Sequence, residues 1–194
     1  MRKLLFAVAL LLAANFAHAQ KPLGFKLGVN LSQTPSSNVK TSDYSLVKAG
    51  FQAGLTYQLP ISASFGFQTE LVYNYQSSRE NYYGSDLRLT YLQVPVLAQF
   101  TPKNAKVKFY AGPQVGFLQK GVYKKDGQKA ISRNGDFNQT DFGAAWGVAT
   151  LPSKSGFSVD FRMYNGLTNV FKATYDNGTR SRNNVFSISL GYRF

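Results

Sequence analysis

Apolar and polar residues alternate with a period of two along most of the chain, the pattern of strands that turn one face toward an apolar medium. In the segment VFSISLGYRF, Phe186, Ile188, Leu190, Tyr192 and Phe194 share one face and Ser187, Ser189, Gly191 and Arg193 the other. LGFKLGVNLSQ sets Leu23, Phe25, Leu27, Val29 and Leu31 against Gly24, Lys26, Gly28, Asn30 and Ser32. The same alternation runs through 49–59, where Phe51 and Leu55 oppose Gln52 and Gly54. It recurs in 65–76, where Phe67 and Leu71 oppose Gln68 and Glu70, and in 106–119, where Phe109 and Phe117 oppose Lys108 and Tyr110. The segments 141–150 and 157–164 continue it, with Trp146 and Phe161 outward, Asp141, Asp160 and Arg162 inward. LRLTYLQVPVLAQF is less regular. Pro95 there cannot donate to a ladder, which predicts a bulge or locally loosened pairing.

Connections between these eight segments alternate in length. Short turns, LPIS, TPKNAK and LPSKSG, follow the second, fourth and sixth, and longer polar stretches at 34–48, 77–86, 120–140 and 168–182 follow the others. Short turns on one rim and long loops on the other predict an all-β fold: an eight-stranded antiparallel up-and-down transmembrane β-barrel. An even strand count puts both termini on the short rim, expected in the periplasm. A soluble barrel or sandwich fits less well. It would pack its apolar set inside, and a small lumen would be overfilled by so many bulky residues, whereas the opposite set is rich in Gly, Ser, Gln and Asn. Aromatic residues also gather near the strand ends, as bilayer interfaces select: Tyr57, Phe65, Phe100, Phe109, Phe157, Tyr192 and Phe194 at the short rim, Tyr73, Tyr75, Phe142 and Phe186 toward the other.

Residues 1–19 have the form of a secretory signal peptide, with Arg2 and Lys3, an apolar run, and Ala17-His18-Ala19 at the expected cleavage site. The barrel domain is then 20–194. The chain has no cysteine, and its single histidine, His18, lies in the segment expected to leave. Without these residues the commonest general base and thiolate chemistry are lost, so neither an enzyme nor a cofactor is expected. The formal net charge is +13. In an exported chain without a motif that presents basic residues to a duplex, this excess points to anionic lipid rather than nucleic acid.

The run of KAGFQAGLTYQL, FGFQTELVYNYQ, TYLQVPVLAQF, FYAGPQVGFLQKG, TDFGAAWGVA, FSVDFRMYNGLTNV and VFSISLGYRF resembles the PorT-like outer-membrane β-barrel family. The likeness is strongest at Glu70 with Tyr73, at Tyr91–Pro95 and at Gly112-Pro113. It implies a small barrel and allows an accessory role in protein secretion. It also implies that a terminal aromatic strand, here with Tyr192 and Phe194, is the label read by the barrel-assembly machinery.

Parity places Lys26, Glu70, Lys108, Asp141, Asp160, Arg162 and Arg193 inside the barrel. Charges in a narrow lumen must be paired or hydrated. A salt-bridge plug is favoured over a paired-carboxylate site or proton path, with Asp160 held by Arg193 or Lys26. Basic residues also cluster in one long connection, where Lys124, Lys125, Lys129 and Arg133 suit a loop that meets the phosphates of lipopolysaccharide. The functional expectation is a structural or partner-binding barrel whose lumen is filled by polar side chains. An envelope protein is one such partner. A secretion accessory and a narrow pore or small-ligand transporter are the alternatives.

Overall fold

A computed structural model describes residues 22–34, 46–80, 85–125, 131–132, 134–172 and 180–194. Residues 1–19, where a signal peptide is expected, lie outside the described residues. Nine strands are present among those described: β1 (Leu23–Gln33), β2 (Leu46–Pro60), β3 (Phe65–Glu80), β4 (Ser85–Phe100), β5 (Val107–Lys125), β6 (Ile131–Ser132), β7 (Thr140–Thr150), β8 (Phe157–Gly166) and β9 (Asn184–Arg193). Eight of them form the barrel. Each pairs antiparallel with the next along the chain, and β1 pairs with β9 from Gly24↔Arg193 to Gln33↔Asn184, which closes the ring. The two residues of β6 pair only with β5 and stand outside it.

Closure explains the alternation. Outward positions such as Leu27, Val29, Leu55, Leu71, Trp146, Phe161 and Leu190 are exposed, while the intervening Lys26, Gln52, Glu70, Arg162 and Ser189 are buried. An apolar outer belt around a closed ring would drive a water-soluble protein to aggregate and is what a bilayer requires. At the short-turn rim the rings interlock: Tyr192 lies 5.6 Å from Phe25, 5.1 Å from Phe157 and 5.5 Å from Phe194, and Phe65 lies 5.0 Å from Phe100. Tyr57 departs from the expected girdle, since it is buried although its parity is outward.

The strands are unequal. β3 and β4 have 16 residues each and β5 has 19, against 10 or 11 in β1, β7, β8 and β9. About 9 to 11 tilted residues cross a bilayer. One wall therefore rises well past the membrane on the long-connection side. The expected loop at 77–86 is mostly paired strand, because β3 and β4 hold register out to Glu80↔Ser85.

Pro95 brings no bulge. Register is kept on both sides of it, but pairs are missing from each ladder nearby, between Thr69↔Val96 and Val72↔Gln93 on one side and between Pro95↔Gln114 and Ala98↔Ala111 on the other. The missing donor loosens the pairing without adding a residue. Register does shift in β2 between Val47 and Phe51 and in β4 at Thr90/Tyr91. At the first shift, side chains of β1 replace ladder bonds: the Asn30 amide donates to the Tyr75 carbonyl at 3.0 Å, and the Ser32 hydroxyl both donates to the Ser77 carbonyl and accepts from its N–H. Gly50 lets them reach, since a β-carbon there would lie 2.5 Å from Asn30 Oδ1.

The interior is mixed rather than polar throughout, a correction to the expectation of a polar filling. Around mid-depth it is charged and amide-rich. Toward the tall wall, Leu87, Leu89, Tyr91 and Leu118 form an apolar cluster with Phe137 and Val170. These last two come from the connections beyond β6 and β8, which fold back over the mouth. Asn138 N–H donates to Val170 O and Lys172 N–H to Asp136 O, and the Asn138 side chain donates to the carbonyls of Asn169 and Phe171. Two connections are thereby tied into one cap.

Candidate functional site

Glu70 stands on the inward face of β3, and its side chain is completely buried. Arg162 reaches it from β8 on another wall of the ring, donating through Nη1 to Oε2 at 2.8 Å and through Nη2 to Oε1 at 2.7 Å. Lys26 of β1 places Nζ 2.9 Å from Oε2. The Gln68 amide donates to Oε1 from the same face of β3. An eight-stranded lumen is narrow enough for one arginine and one glutamate to span it. The fork-to-fork pair fixes both planes and satisfies charges that would each cost several kcal/mol if left dry and alone.

Asp160 lies beside this centre. The Tyr110 hydroxyl, from β5, donates to its Oδ2 at 2.5 Å, while Lys26 Nζ and Arg162 Nε stand 3.9 and 3.8 Å from Oδ1. Arg162 Nε also donates to Tyr110 Oη at 3.2 Å, and the guanidinium carbon is 5.0 Å from the tyrosine ring centre. Gly147 makes room for this ring: a β-carbon there would come within 2.5 Å of the hydroxyl.

The seven interior charges do not form one cluster. Lys26, Glu70, Asp160 and Arg162 meet. Lys108 donates to Gln68 Oε1 at 3.2 Å, and Arg193 donates to Gln58 Oε1 at 3.2 Å. Arg193 therefore does not hold Asp160, and Lys26 holds it only loosely. The side chain of Gln58, on β2 beyond β1, takes the arginine instead. Asp141 belongs to the opposite end, where it accepts from Thr168 Oγ1 at 3.0 Å and from Asn183 Nδ2 at 2.8 Å beneath the cap. Its removal from the group leaves four cations against two carboxylates in the lower lumen. Tyr110 and the amides of Gln58, Gln68 and Gln99 complete the network, and alternation marked them as inward without indicating what they would bind. A second amide chain, Asn30 to Asn74 to Gln93, with both bonds at 2.8 Å, fills the level above. Among the described residues, no group of three or more His, Cys, Asp or Glu side chains is placed to hold a metal.

The closed antiparallel ring has counterparts in fold among known proteins. The family model described as outer membrane protein beta-barrel domain matches residues 18–172. The chain belongs to this outer-membrane β-barrel family. Among solved structures, the barrel is similar to Neisserial surface protein A, with 13% identity, a TM-score of 0.59, and coverage of 89% of this chain and 97% of that one. It is also similar to Ail, the attachment invasion locus protein of Yersinia pestis, with 17% identity, a TM-score of 0.51, and coverage of 90% and 99%. At these identities the likeness concerns the fold. No curated protein matches the chain.

Two further sets of residues were expected at the surfaces of this outer-membrane barrel. Tyr192 and Phe194 join Phe25 and Phe157 in the aromatic group at the short-turn rim, and Phe194 N–H donates to Leu23 O across the seam. Lys124 and Lys125 lie at the end of the tall strand β5, whereas Lys129 and Arg133 lie outside the described residues.

Proposed function

We propose that this outer-membrane barrel acts through its surfaces, as a structural or partner-binding protein, and that its lumen is a closed plug without catalysis. The observation that carries this reading is the Lys26–Glu70–Arg162 bridge across the lumen, with the Phe137 cap above it. Ions would have to break a buried pair and lift a packed aromatic ring to pass. Planar-bilayer recording of the purified barrel tests it. The expected result is no steady conductance, and a stable single-channel conductance in the parent protein overturns it.

In this reading residues 1–19 are the signal peptide, 20–194 the barrel, and the short-turn rim with both termini faces the periplasm. Tyr192 and Phe194 serve as the label for the barrel-assembly machinery. The basic stretch Lys124, Lys125, Lys129 and Arg133 faces outward, where it suits lipopolysaccharide or another polyanion. Ail has been crystallised with the heparin analogue sucrose octasulfate. Binding of lipopolysaccharide by the parent, weakened when these four residues become Gln, is the supporting outcome. The likeness of the strand motifs to the PorT-like family favours a second reading, an accessory of protein secretion acting with an envelope partner. Loss of cargo export on deletion of the gene supports it, and unchanged export removes it.

A further inference from the structure

The lower lumen holds two cations that no carboxylate contacts directly. Lys26 and Arg162 divide Glu70 and Asp160 between them, whereas Lys108 and Arg193 have only amide oxygens as partners and no ion pair within 4.0 Å among the described residues. Lys108 is only 6% exposed. A buried ammonium without a counter-ion in contact is costly, and an amide dipole with more distant carboxylates offsets only part of that cost. Both residues line the same cavity, of about 320 Å³, which opens at the short-turn rim between Ser62, Ser64 and Pro152. Gln58 and Gln99 also line it. A narrower recess of about 40 Å³ shares Gln58, Lys108 and Arg193 with it and leads inward to Lys26 and Asp160.

We propose that this mouth is a binding pocket for a small oxyanion, a phosphate or phosphate ester, held between Lys108 and Arg193. The volume is at the lower end of small-molecule pockets and exceeds what a bare ion needs. Two cations from different strands, with amide groups beside them, suit an anion with several acceptor oxygens. Asp160 closes the inner end. Its carboxylate is engaged by Tyr110 and repels an anion, so the ligand stays in the mouth and the plug remains intact. The pocket is blind, and the proposal does not depend on what the outer loops bind.

Calorimetric titration of the refolded barrel in a phosphate-free detergent buffer tests it, with inorganic phosphate, glycerol 3-phosphate and uncharged glycerol as probes. The expected result is saturable binding of one phosphate probe per barrel and none of glycerol, with the tighter probe telling whether the anion is free or esterified. Lys108→Gln and Arg193→Gln should each weaken binding tenfold or more. Lys154→Gln, exposed on a turn of the same rim but outside the cavity, should leave it unchanged. Folding of each variant is checked by its mobility on an unheated gel. If Lys108→Gln fails to fold, Arg193→Gln at the half-buried rim decides alone. No saturable binding by the folded parent overturns the proposal, as does equal weakening by Lys154→Gln or insensitivity to Arg193→Gln.

Discussion

Glu70 ties three side chains of the interior together, because one carboxylate accepts from Arg162 and the Gln68 amide and forms an ion pair with Lys26. Removing it leaves two buried cations with only the longer carboxylate contacts to Asp160. Glu70→Ala is expected to destabilise the barrel by about 3 to 5 kcal/mol, the usual cost of breaking a buried pair from one side. Urea unfolding of the refolded protein, followed by tryptophan fluorescence, measures this, and Trp146 is the only tryptophan in the chain. Asp160→Ala should cost less, since both of its cationic neighbours keep Glu70. A larger loss for Asp160→Ala would show the hub to be misassigned. Tyr110→Phe removes the donor to Asp160 and should cost about 1 to 3 kcal/mol by leaving an acceptor unsatisfied.

Among the elements, β5 does two jobs. Its lower part supplies Lys108 and Tyr110 to the lumen, and its upper part supports the cap. Gly121 permits the second, because a β-carbon there would lie 2.4 Å from the Phe137 ring. Gly121→Leu should displace Phe137 and open the cap while leaving the barrel folded. Hydrogen exchange would then rise at 136–138 and 170–172, where the two connections exchange backbone bonds, and stay low in β7 to β9. Unchanged exchange in the cap would mean that Phe137 is not its anchor. β9 is the other element with a double load, as the closing partner of β1 and as the terminal aromatic strand. If Phe194 is part of an assembly label, Phe194→Asp should lower insertion into the outer membrane more than Phe157→Asp, although both rings sit in one aromatic group. Equal losses would make Phe194 an ordinary interface residue.

At the scale of the whole molecule, the tall wall of β3, β4 and β5 makes the barrel lopsided, with a capped apolar chamber on one side of the membrane and an ion-paired lumen within it. The polypeptide should run faster on a gel unheated than boiled and fractionate with the outer membrane. Protease applied to intact cells should cut within 120–140 and spare 101–106, if the long-connection side faces outward. The reverse pattern would invert the barrel.

Alternation and connection length together were sufficient for the eight barrel strands, for the facing of most of their side chains and for closure. A period of two assigns side chains to lipid or lumen without reference to any partner, Tyr57 and the strand ends beyond 76 excepted, and the alternating connection lengths order the strands. Thus Lys26, Glu70, Asp160 and Arg162 were legible as inward residues. Their depth was not. Depth depends on tilt and register around the ring, which β2 shifts near Val47 and β4 near Thr90, and these shifts are settled by cross-strand bonds between residues far apart in sequence. For that reason tertiary structure alone placed Glu70 rather than Asp160 at the hub, sent Asp141 to the cap, and paired Arg193 with Gln58. It also folded Phe137 into the mouth. Nothing local distinguishes a phenylalanine in a polar connection that will stay in solvent from one for which a glycine on another strand has left a space.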